Sequence, residues 1–127
     1  MTRSAFVTGG TGFVGLNLLQ KLKSDGWDVT ALHRASSGLK FLSRCKTNLV
    51  QGEITNAASM LAALPEGIDT LFHVAGNTSM WRKGNAQQTL ENVEGTRNVV
   101  EAAIAKGVRR LVVTSTISAY GPVSGAI

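Results

Sequence analysis

The sequence is poor in cysteine, proline and aromatic residues, with one Cys, two Pro and 6% aromatics among 127 residues. The lone Cys45 permits no internal disulfide. No apolar run approaches the roughly 20 residues that cross a bilayer, and Met1 to Arg3 lead into a strand-like run without the apolar segment of a signal peptide. These absences favour a reducing, cytoplasmic location and predict no contact with a membrane.

The composition indicates one folded domain that spans residues 1–127. Its length is that of an ordinary domain, and 43% hydrophobic residues suffice for one core. The formal net charge of +5 suggests an anionic partner, but no nucleic-acid-binding motif accompanies it, so we expect no nucleic-acid partner. The turn-rich ending, residues 118–127, contains no closing element, and we therefore expect a fragment of a longer protein.

Short apolar segments alternate with segments of helical periodicity, as is typical of βαβ units with a parallel sheet. The class is therefore α/β, a Rossmann doubly wound parallel sheet of order 3-2-1-4-5, incomplete, with helices on both faces. The predicted strands are Ser4–Thr8, Asp28–His33, Asn48–Gln51, Asp69–Ala75 and Arg110–Ser115, and the predicted helices run from Gly12 to Gly26, around Leu39 and Leu42, from Asn56 to Pro65, and over 86–106.

The last predicted strand lies at an open edge of this sheet. It carries Leu111, Val112 and Val113, with few charges nearby. An apolar edge is a template for another chain, so we expect this chain either to form a homo-oligomer through this edge or to require the rest of its polypeptide to stay soluble.

A glycine-rich loop joins the first strand to the first helix. Gly10, Gly12 and Gly15 match G-x-G-x-x-G in that context, where glycine lets the backbone approach a pyrophosphate and the helix N-terminus offers free N–H groups. The loop predicts a dinucleotide cofactor. No Gly-Lys-Ser/Thr follows, which excludes a P-loop nucleotide triphosphatase.

The residue after the second strand discriminates between the two nicotinamide dinucleotides. An acid there binds the ribose 2′-hydroxyl of NAD, whereas Arg accommodates the 2′-phosphate of NADP. The sequence has Arg34 and then Lys40, Arg44 and Lys46, with no acid among them. NADP is favoured, and NAD stays possible. Lys40, Arg44 and Lys46 are interpreted as a solvated helix face.

Four ordered motifs carry a family resemblance. They are Thr8-Gly9 with Gly12 and Gly15, Phe72 to Gly76, Asn92 to Asn98, and Thr114 to Gly121. Over essentially the whole chain the sequence resembles the extended branch of the short-chain dehydrogenase/reductase superfamily, the NAD-dependent epimerase/dehydratase family. It is most like bacterial dihydroflavonol reductase-like proteins, and nucleotide-sugar epimerases and 3β-hydroxysteroid dehydrogenases share much of the pattern.

The resemblance implies a role for each matching residue. The glycine-rich loop would hold the pyrophosphate, and Arg34 would hold the 2′-phosphate. Glu53 and Ile54 would contact the adenine, and the end of the fourth strand would line the nicotinamide ribose. Asn92 would brace the floor of the site, and Thr116 would supply the catalytic hydroxyl. No metal is expected. The implied cofactor-binding residues are Gly9, Thr11, Gly12, Phe13, Val14, Gly15, Arg34, Glu53, Ile54, Val74, Ala75, Gly76, Asn92 and Thr114.

The family's proton donor, the Tyr of Tyr-x-x-x-Lys, has no counterpart in this sequence. Tyr120 is followed four residues later by Ser124, and no Lys follows Lys106. We therefore expect the NADP(H)-binding portion of an oxidoreductase that acts on a carbonyl or a secondary alcohol of a small-molecule substrate, with this chain alone inactive. A nucleotide-sugar epimerase or dehydratase and a non-enzymatic dinucleotide-sensing module stay open as alternatives.

Three further residues receive structural interpretations. His73, inside an apolar strand, is interpreted as a satisfied core imidazole and left out of the site. Gly95, inside a helix, indicates close packing against the sheet. Trp81 either walls the substrate pocket or packs beneath its loop.

Overall fold

The computed structural model describes residues 2–80, 82–122 and 124–125. Its strands form one five-stranded sheet in the order β3-β2-β1-β4-β5, and all neighbouring strands pair in parallel. The predicted sheet order is therefore confirmed. The strands are β1 (Ser4–Thr8), β2 (Asp28–His33), β3 (Asn48–Gln51), β4 (Thr70–His73) and β5 (Arg110–Val113).

The helices cover both faces of the sheet, as predicted. Alternation along β1 sends Ala5 and Val7 to a core against the first helix and Phe6 to a core against the others. Both cores contain fully buried side chains, each contributing roughly 1.5–3 kcal/mol by burial. The helices are α1 (Phe13–Ser24), α2 (Ala57–Ala63), α3 (Asn85–Thr89) and α4 (Gly95–Ala105), and a π-helical segment, Leu90–Glu94, joins α3 to α4.

The helix ends follow their local signals. The side chain of Asn56 accepts a hydrogen bond from the backbone N–H of Ser59 at 3.0 Å and so begins α2. Gly26, after α1, has a φ of +82°, which glycine adopts without strain. The helix predicted over 86–106 is confirmed as the run α3, π segment and α4.

β4 and β5 end two residues earlier than predicted, at His73 and Val113. Beyond β4, the backbone N–H groups of Val74 and Ala75 both donate to the hydroxyl of Thr8, at 3.2 Å each. The N–H of Val74 also donates to the Thr8 carbonyl at 3.3 Å. The Thr8 side chain thus adds hydrogen bonds where β4 ends, and Val74 and Ala75 line the cleft there.

The short helix predicted around Leu39 and Leu42 is wrong. Only a 3₁₀ turn, Ser43–Cys45, forms in this segment. Leu42 is buried whereas Leu39 is 37% exposed, so the segment has a single anchoring side chain rather than an apolar helix face. Lys40, Arg44 and Lys46 are exposed, but they do not form a helix face.

Gly95 packs closely, but its neighbour is not the sheet. A Cβ at this position would lie 2.8 Å from Cδ1 of Ile54, in the loop after β3. The predicted close approach is therefore made to a loop side chain.

β5 lies at the edge of the sheet formed by the described residues. Val112 and Val113 on it are 42% and 44% exposed. Self-association through this edge stays a prediction. None of the described helices has the length and apolar character that a membrane crossing requires.

Candidate functional site

An open cleft of about 1000 Å³ lies where the carboxyl ends of all five strands meet. This is the position at which doubly wound sheets bind their ligands. Every predicted cofactor residue and the predicted catalytic Thr116 line it, and the ligand contacts assigned to them stay predictions. Other lining residues include His33, Ser37, Asn77, Thr78, Ser79, Glu91 and Ser115.

The floor of the cleft is the loop between β1 and α1, and its glycines are required by contact. Gly9 has a φ of +75°, and a Cβ there would lie 2.5 Å from the backbone nitrogen of Ala75. A Cβ at Gly15 would overlap the carbonyl oxygen of Gly9. Neither neighbour is a movable side chain, so both positions exclude any other residue.

Gly12 differs from these two glycines. A Cβ there would come no closer to the protein than 3.6 Å, to the Gly9 carbonyl oxygen, yet Gly12 lines the cleft. A Cβ there would occupy space in the cleft that a ligand needs in order to approach the backbone of the loop. Gly12 also precedes α1 without offering a side-chain cap, which leaves the first N–H groups of the helix for an anion. The residues present therefore fit a dinucleotide pyrophosphate.

A buried hydrogen-bond chain holds β1, β4 and α4 together beneath the loop. The Thr8 hydroxyl uses its two acceptor positions for the N–H groups of Val74 and Ala75. Its hydrogen is therefore donated to Nδ1 of His73, 2.7 Å away. The network assigns the remaining ring proton to Nε2, which donates to the Thr96 hydroxyl at 3.0 Å.

These hydrogen bonds explain the protonation state of His73. Burial lowers the pKa of its imidazole from the ordinary value of 6.5, and the ring is neutral with both nitrogens satisfied. A protonated ring would present a second N–H to a hydroxyl whose acceptor positions are occupied. The interpretation of His73 as a satisfied core imidazole is confirmed.

The rim of the cleft, unlike its floor, consists of polar side chains. Nη1 of Arg34, after β2, lies 3.9 Å from Oε1 of Glu91 in the π segment. Oε1 of Glu91 also accepts from Gln87 at 3.0 Å, and Oε2 accepts from Nδ2 of Asn77 at 2.7 Å. The side-chain amide of Gln87, then that of Asn77 and the charge of Arg34, hold the pKa of Glu91 below its ordinary value of 4.5.

Asn92 does not brace the floor of the cleft, as the resemblance implied, but holds the loop that follows β4 at the rim. Its Oδ1 accepts from the backbone N–H of Asn77 at 2.8 Å, and its Nδ2 donates to the carbonyl of the same residue at 2.9 Å. Gln88 donates to the carbonyls of Asn77 and Ser79, both at 2.9 Å. Gln88 and Glu91 were not predicted as site residues. Gln88 lies four residues before Asn92, and this spacing on one helix face is a signal that could have found Gln88. Glu91 is adjacent to Asn92 in the sequence, and no such spacing points to it.

Glu53 and Ile54 differ in their access to the cleft. Glu53 is partly exposed, and its backbone N–H donates to the Ser59 hydroxyl at 2.9 Å. Ile54 is only 8% exposed, within the core, and its carbonyl accepts from Asn98 at 2.8 Å. Glu53 is thus the member of the pair with a side chain available to a ligand.

Thr114, Ser115 and Thr116 are all exposed and all line the cleft. β5 ends at Val113, so the alternation of a strand does not separate these three residues. The Thr116 hydroxyl oxygen accepts from the N–H of Ser118 at 3.2 Å and caps a 3₁₀ turn, with its own hydrogen left for another acceptor. Trp81 lies outside the described residues.

A parallel sheet in this order, with a glycine loop before α1 and a cleft at the strand ends, defines a dinucleotide-binding Rossmann domain. Residues 5–127 match the model of the NAD dependent epimerase/dehydratase family. The chain belongs to this family, and the resemblance drawn from its motifs is confirmed.

Known relatives carry several activities. The chain is 41% identical over 116 residues to a putative dihydroflavonol 4-reductase of Synechocystis sp., covering 91% of this chain and 33% of the relative. It is 38% identical over 118 residues to a 3-beta-hydroxysteroid dehydrogenase of Mycolicibacterium neoaurum, covering 88% and 31% respectively. The chain thus spans about a third of the length of these curated relatives.

A solved structure shares the fold and contains a cofactor. UDP-glucose-4-epimerase from Stenotrophomonas maltophila, with bound NAD, superposes with a TM-score of 0.84 at 26% identity, covering 97% of this chain and 40% of that one. A putative reductase, a dehydrogenase and an epimerase are therefore all among the similar proteins.

Proposed function

We propose that this chain is the NADP(H)-binding portion of a cytoplasmic oxidoreductase that interconverts a carbonyl and a secondary alcohol on a small molecule, as a dihydroflavonol reductase-like enzyme does. The observation that supports the proposal most directly is the cleft at the carboxyl ends of the strands, where the β1–α1 loop presents backbone atoms to a ligand. When bound, the nicotinamide supplies or accepts the hydride. The similarity to a putative dihydroflavonol 4-reductase supports this reaction class.

The residues of the cleft divide the binding between them. Gly9, Gly12 and Gly15 keep the loop free of side chains, and the N–H groups at the start of α1 orient the pyrophosphate. Arg34 is the only Lys or Arg among the described residues that line the cleft. Its guanidinium can hold a 2′-phosphate by charge-assisted hydrogen bonds.

At the nicotinamide end, the Thr116 hydroxyl orients and polarises the substrate oxygen. The family's proton-donating pair is missing, because the described residues that line the cleft include no Tyr and no Lys and no Lys follows Lys106 in this sequence. The chain by itself is therefore proposed not to turn over a carbonyl substrate. Oxidation of NADPH by the purified chain in the presence of a carbonyl compound would contradict this.

The experiment for the cofactor is calorimetric titration of the chain with NADP⁺ and NAD⁺. Arg34→Ala should lower NADP⁺ affinity by about tenfold or more, since a charge-assisted hydrogen bond is lost, and should leave NAD⁺ affinity unchanged. Arg44→Ala is the matched control, because Arg44 is an exposed cation of the same segment that does not line the cleft. Equal NADP⁺ affinity of wild type and Arg34→Ala would remove the preference for NADP.

A nucleotide-sugar epimerase or dehydratase is the second candidate. The superposition on UDP-glucose-4-epimerase with bound NAD favours it. The similar epimerase holds NAD, so this candidate predicts that NAD⁺ binds at least as tightly as NADP⁺. The same titration therefore separates the two candidates.

A further inference from the structure

The charge of the cleft opposes the charge of the chain. The whole sequence carries a formal net charge of +5, but the described residues lining the cleft include one guanidinium, Arg34, and two carboxylates, Glu53 and Glu91. Any phosphate that approaches Arg34 therefore meets acidic side chains as well. The carboxylate nearer to Arg34 determines how strongly its guanidinium attracts the phosphate.

Glu91 is that carboxylate, and it is fixed in place. It lies 3.9 Å from Arg34, and amide groups of Gln87 and Asn77 donate to its two oxygens at 3.0 and 2.7 Å. Its side chain is 19% exposed, whereas that of Arg34 is 59% exposed. Of the two partners, Arg34 can move toward a ligand, and Glu91 stays where it is.

The position of Glu91 follows from the helix it belongs to. The π-helical segment Leu90–Glu94 inserts a wider turn between α3 and α4. Glu91 and Asn92 both leave that turn toward Asn77. The carboxylate is therefore presented to the cleft by the backbone and held by its neighbours, independently of Arg34.

We propose that Glu91 is a specificity-determining residue, whose carboxylate competes with the cofactor 2′-phosphate for Arg34 and so weakens the preference for NADP(H) over NAD(H). The proposal rests on the proposed function, in which Arg34 faces that phosphate. A phosphomonoester carries a charge between about −1.5 and −2 at pH 7, and a fixed negative charge close to it is repulsive. The ribose of NAD lacks the 2′-phosphate, so this repulsion does not act on it.

The test is Glu91→Gln, which removes the charge and keeps an oxygen to accept from Asn77 or Gln87. NADP⁺ affinity should rise about three- to tenfold, and NAD⁺ affinity should stay within about twofold. Between about 0.02 M and about 0.5 M salt the gain should shrink, since screening weakens the repulsion. Calorimetric titration with NADP⁺ and with NAD⁺ provides both numbers.

Glu94→Gln is the matched control. Glu94 ends the same π segment and pairs with Arg97 at 3.2 Å, and it does not line the cleft, so its neutralisation should leave the NADP⁺ to NAD⁺ affinity ratio unchanged. If Glu91→Gln changes both affinities equally, or lowers both, Glu91 acts only by holding Asn77 and the proposal is overturned.

The variant Arg34→Ala separates this proposal from the one on which it rests. Loss of NADP⁺ affinity in Arg34→Ala, together with no gain in Glu91→Gln, overturns the role of Glu91 alone. No loss in Arg34→Ala overturns the role of Arg34. In the double variant the gain from Glu91→Gln should fall below that in wild type, because the competition for the guanidinium is gone.

Discussion

The floor and the rim of the cleft are built on different principles. The floor consists of the β1–α1 loop and the hydrogen-bonded residues Thr8, His73 and Thr96, and it is defined by backbone contacts and by buried or partly buried hydroxyl groups. The rim, made of Arg34, Glu91 and the loop 77–79, is defined by exposed or partly exposed polar side chains. The floor therefore tolerates little change, whereas the rim can adjust its ligand preference without loss of the fold.

The largest effect is expected on the floor, at Gly15. Gly15→Ala places a Cβ onto the Gly9 carbonyl, and because the obstacle is backbone, no rotamer relieves it. The free energy of unfolding should fall by about 3 kcal/mol, at the upper end for overpacking. Urea unfolding followed by circular dichroism measures it.

Gly38→Ala serves as the control for this substitution. Nothing lies within 4 Å of a Cβ at Gly38, so its unfolding midpoint should stay close to that of wild type. Equal midpoints for Gly15→Ala and Gly38→Ala would mean that the loop is not held by the contacts described for the floor.

The next effect is expected at His73. His73→Leu keeps an apolar body but leaves the Thr8 hydroxyl without its acceptor, which costs roughly 1–3 kcal/mol for a buried group. The same urea experiment at neutral pH measures this loss. His33→Gln, at the partly exposed end of β2, is the control. An equally large loss of unfolding free energy in this variant would argue against a special role of the hydrogen bonds of His73.

His73 also predicts how stability depends on pH. Its pKa is lowered from 6.5 in the folded chain, so below about pH 6.5 the unfolded chain binds a proton that the folded chain does not. The contribution to stability is complete above that pH and is lost as the pH falls toward the lowered pKa. Between pH 7.5 and 5.5 wild type should lose stability, and His73→Leu should lose less. Parallel profiles would contradict the assignment of a neutral buried ring.

The smallest effect is expected on the rim, at Asn92. Asn92→Ala removes two hydrogen bonds to the backbone of Asn77, while Gln88 still holds the same carbonyl. Global stability should change by about 1 kcal/mol or less, but the Asn77 amide should exchange faster with solvent. Hydrogen exchange followed by NMR measures it, with Asn17→Ala, on the exposed face of α1, as the control. A global loss as large as that of Gly15→Ala would erase the distinction between floor and rim.

The same distinction explains what the sequence could predict. The strands and the glycine loop depend on local patterns, namely apolar runs and the spacing of Gly10, Gly12 and Gly15, so they could be predicted. The strand order followed from the doubly wound fold that these patterns indicate. The extra length predicted for β4 could not be corrected beforehand, because the N–H groups that follow His73 bond to Thr8 of another strand, a tertiary contact that no local pattern shows. Glu91 was missed since a π turn and a tertiary contact with Arg34 give it its position.

The predicted helix around Leu39 failed for a related reason. Its pattern rested on two leucines, and only Leu42 finds a place in the core. Burial is decided by the neighbouring elements, and a short segment with one anchor is held by turns instead.

The central claim is that the cleft binds a dinucleotide with its pyrophosphate on the β1–α1 loop. Titration of the ¹⁵N-labelled chain with NADP⁺ and NAD⁺, followed by amide NMR, tests it residue by residue. The backbone amides of Gly9, Gly12 and Gly15 should shift with both cofactors, and that of Arg34 should shift more with NADP⁺. Gly26 and Gly107, in turns at the ends of helices away from the cleft, should not move. Unchanged loop amides at millimolar cofactor, or shifts confined to residues outside the cleft, would contradict the account.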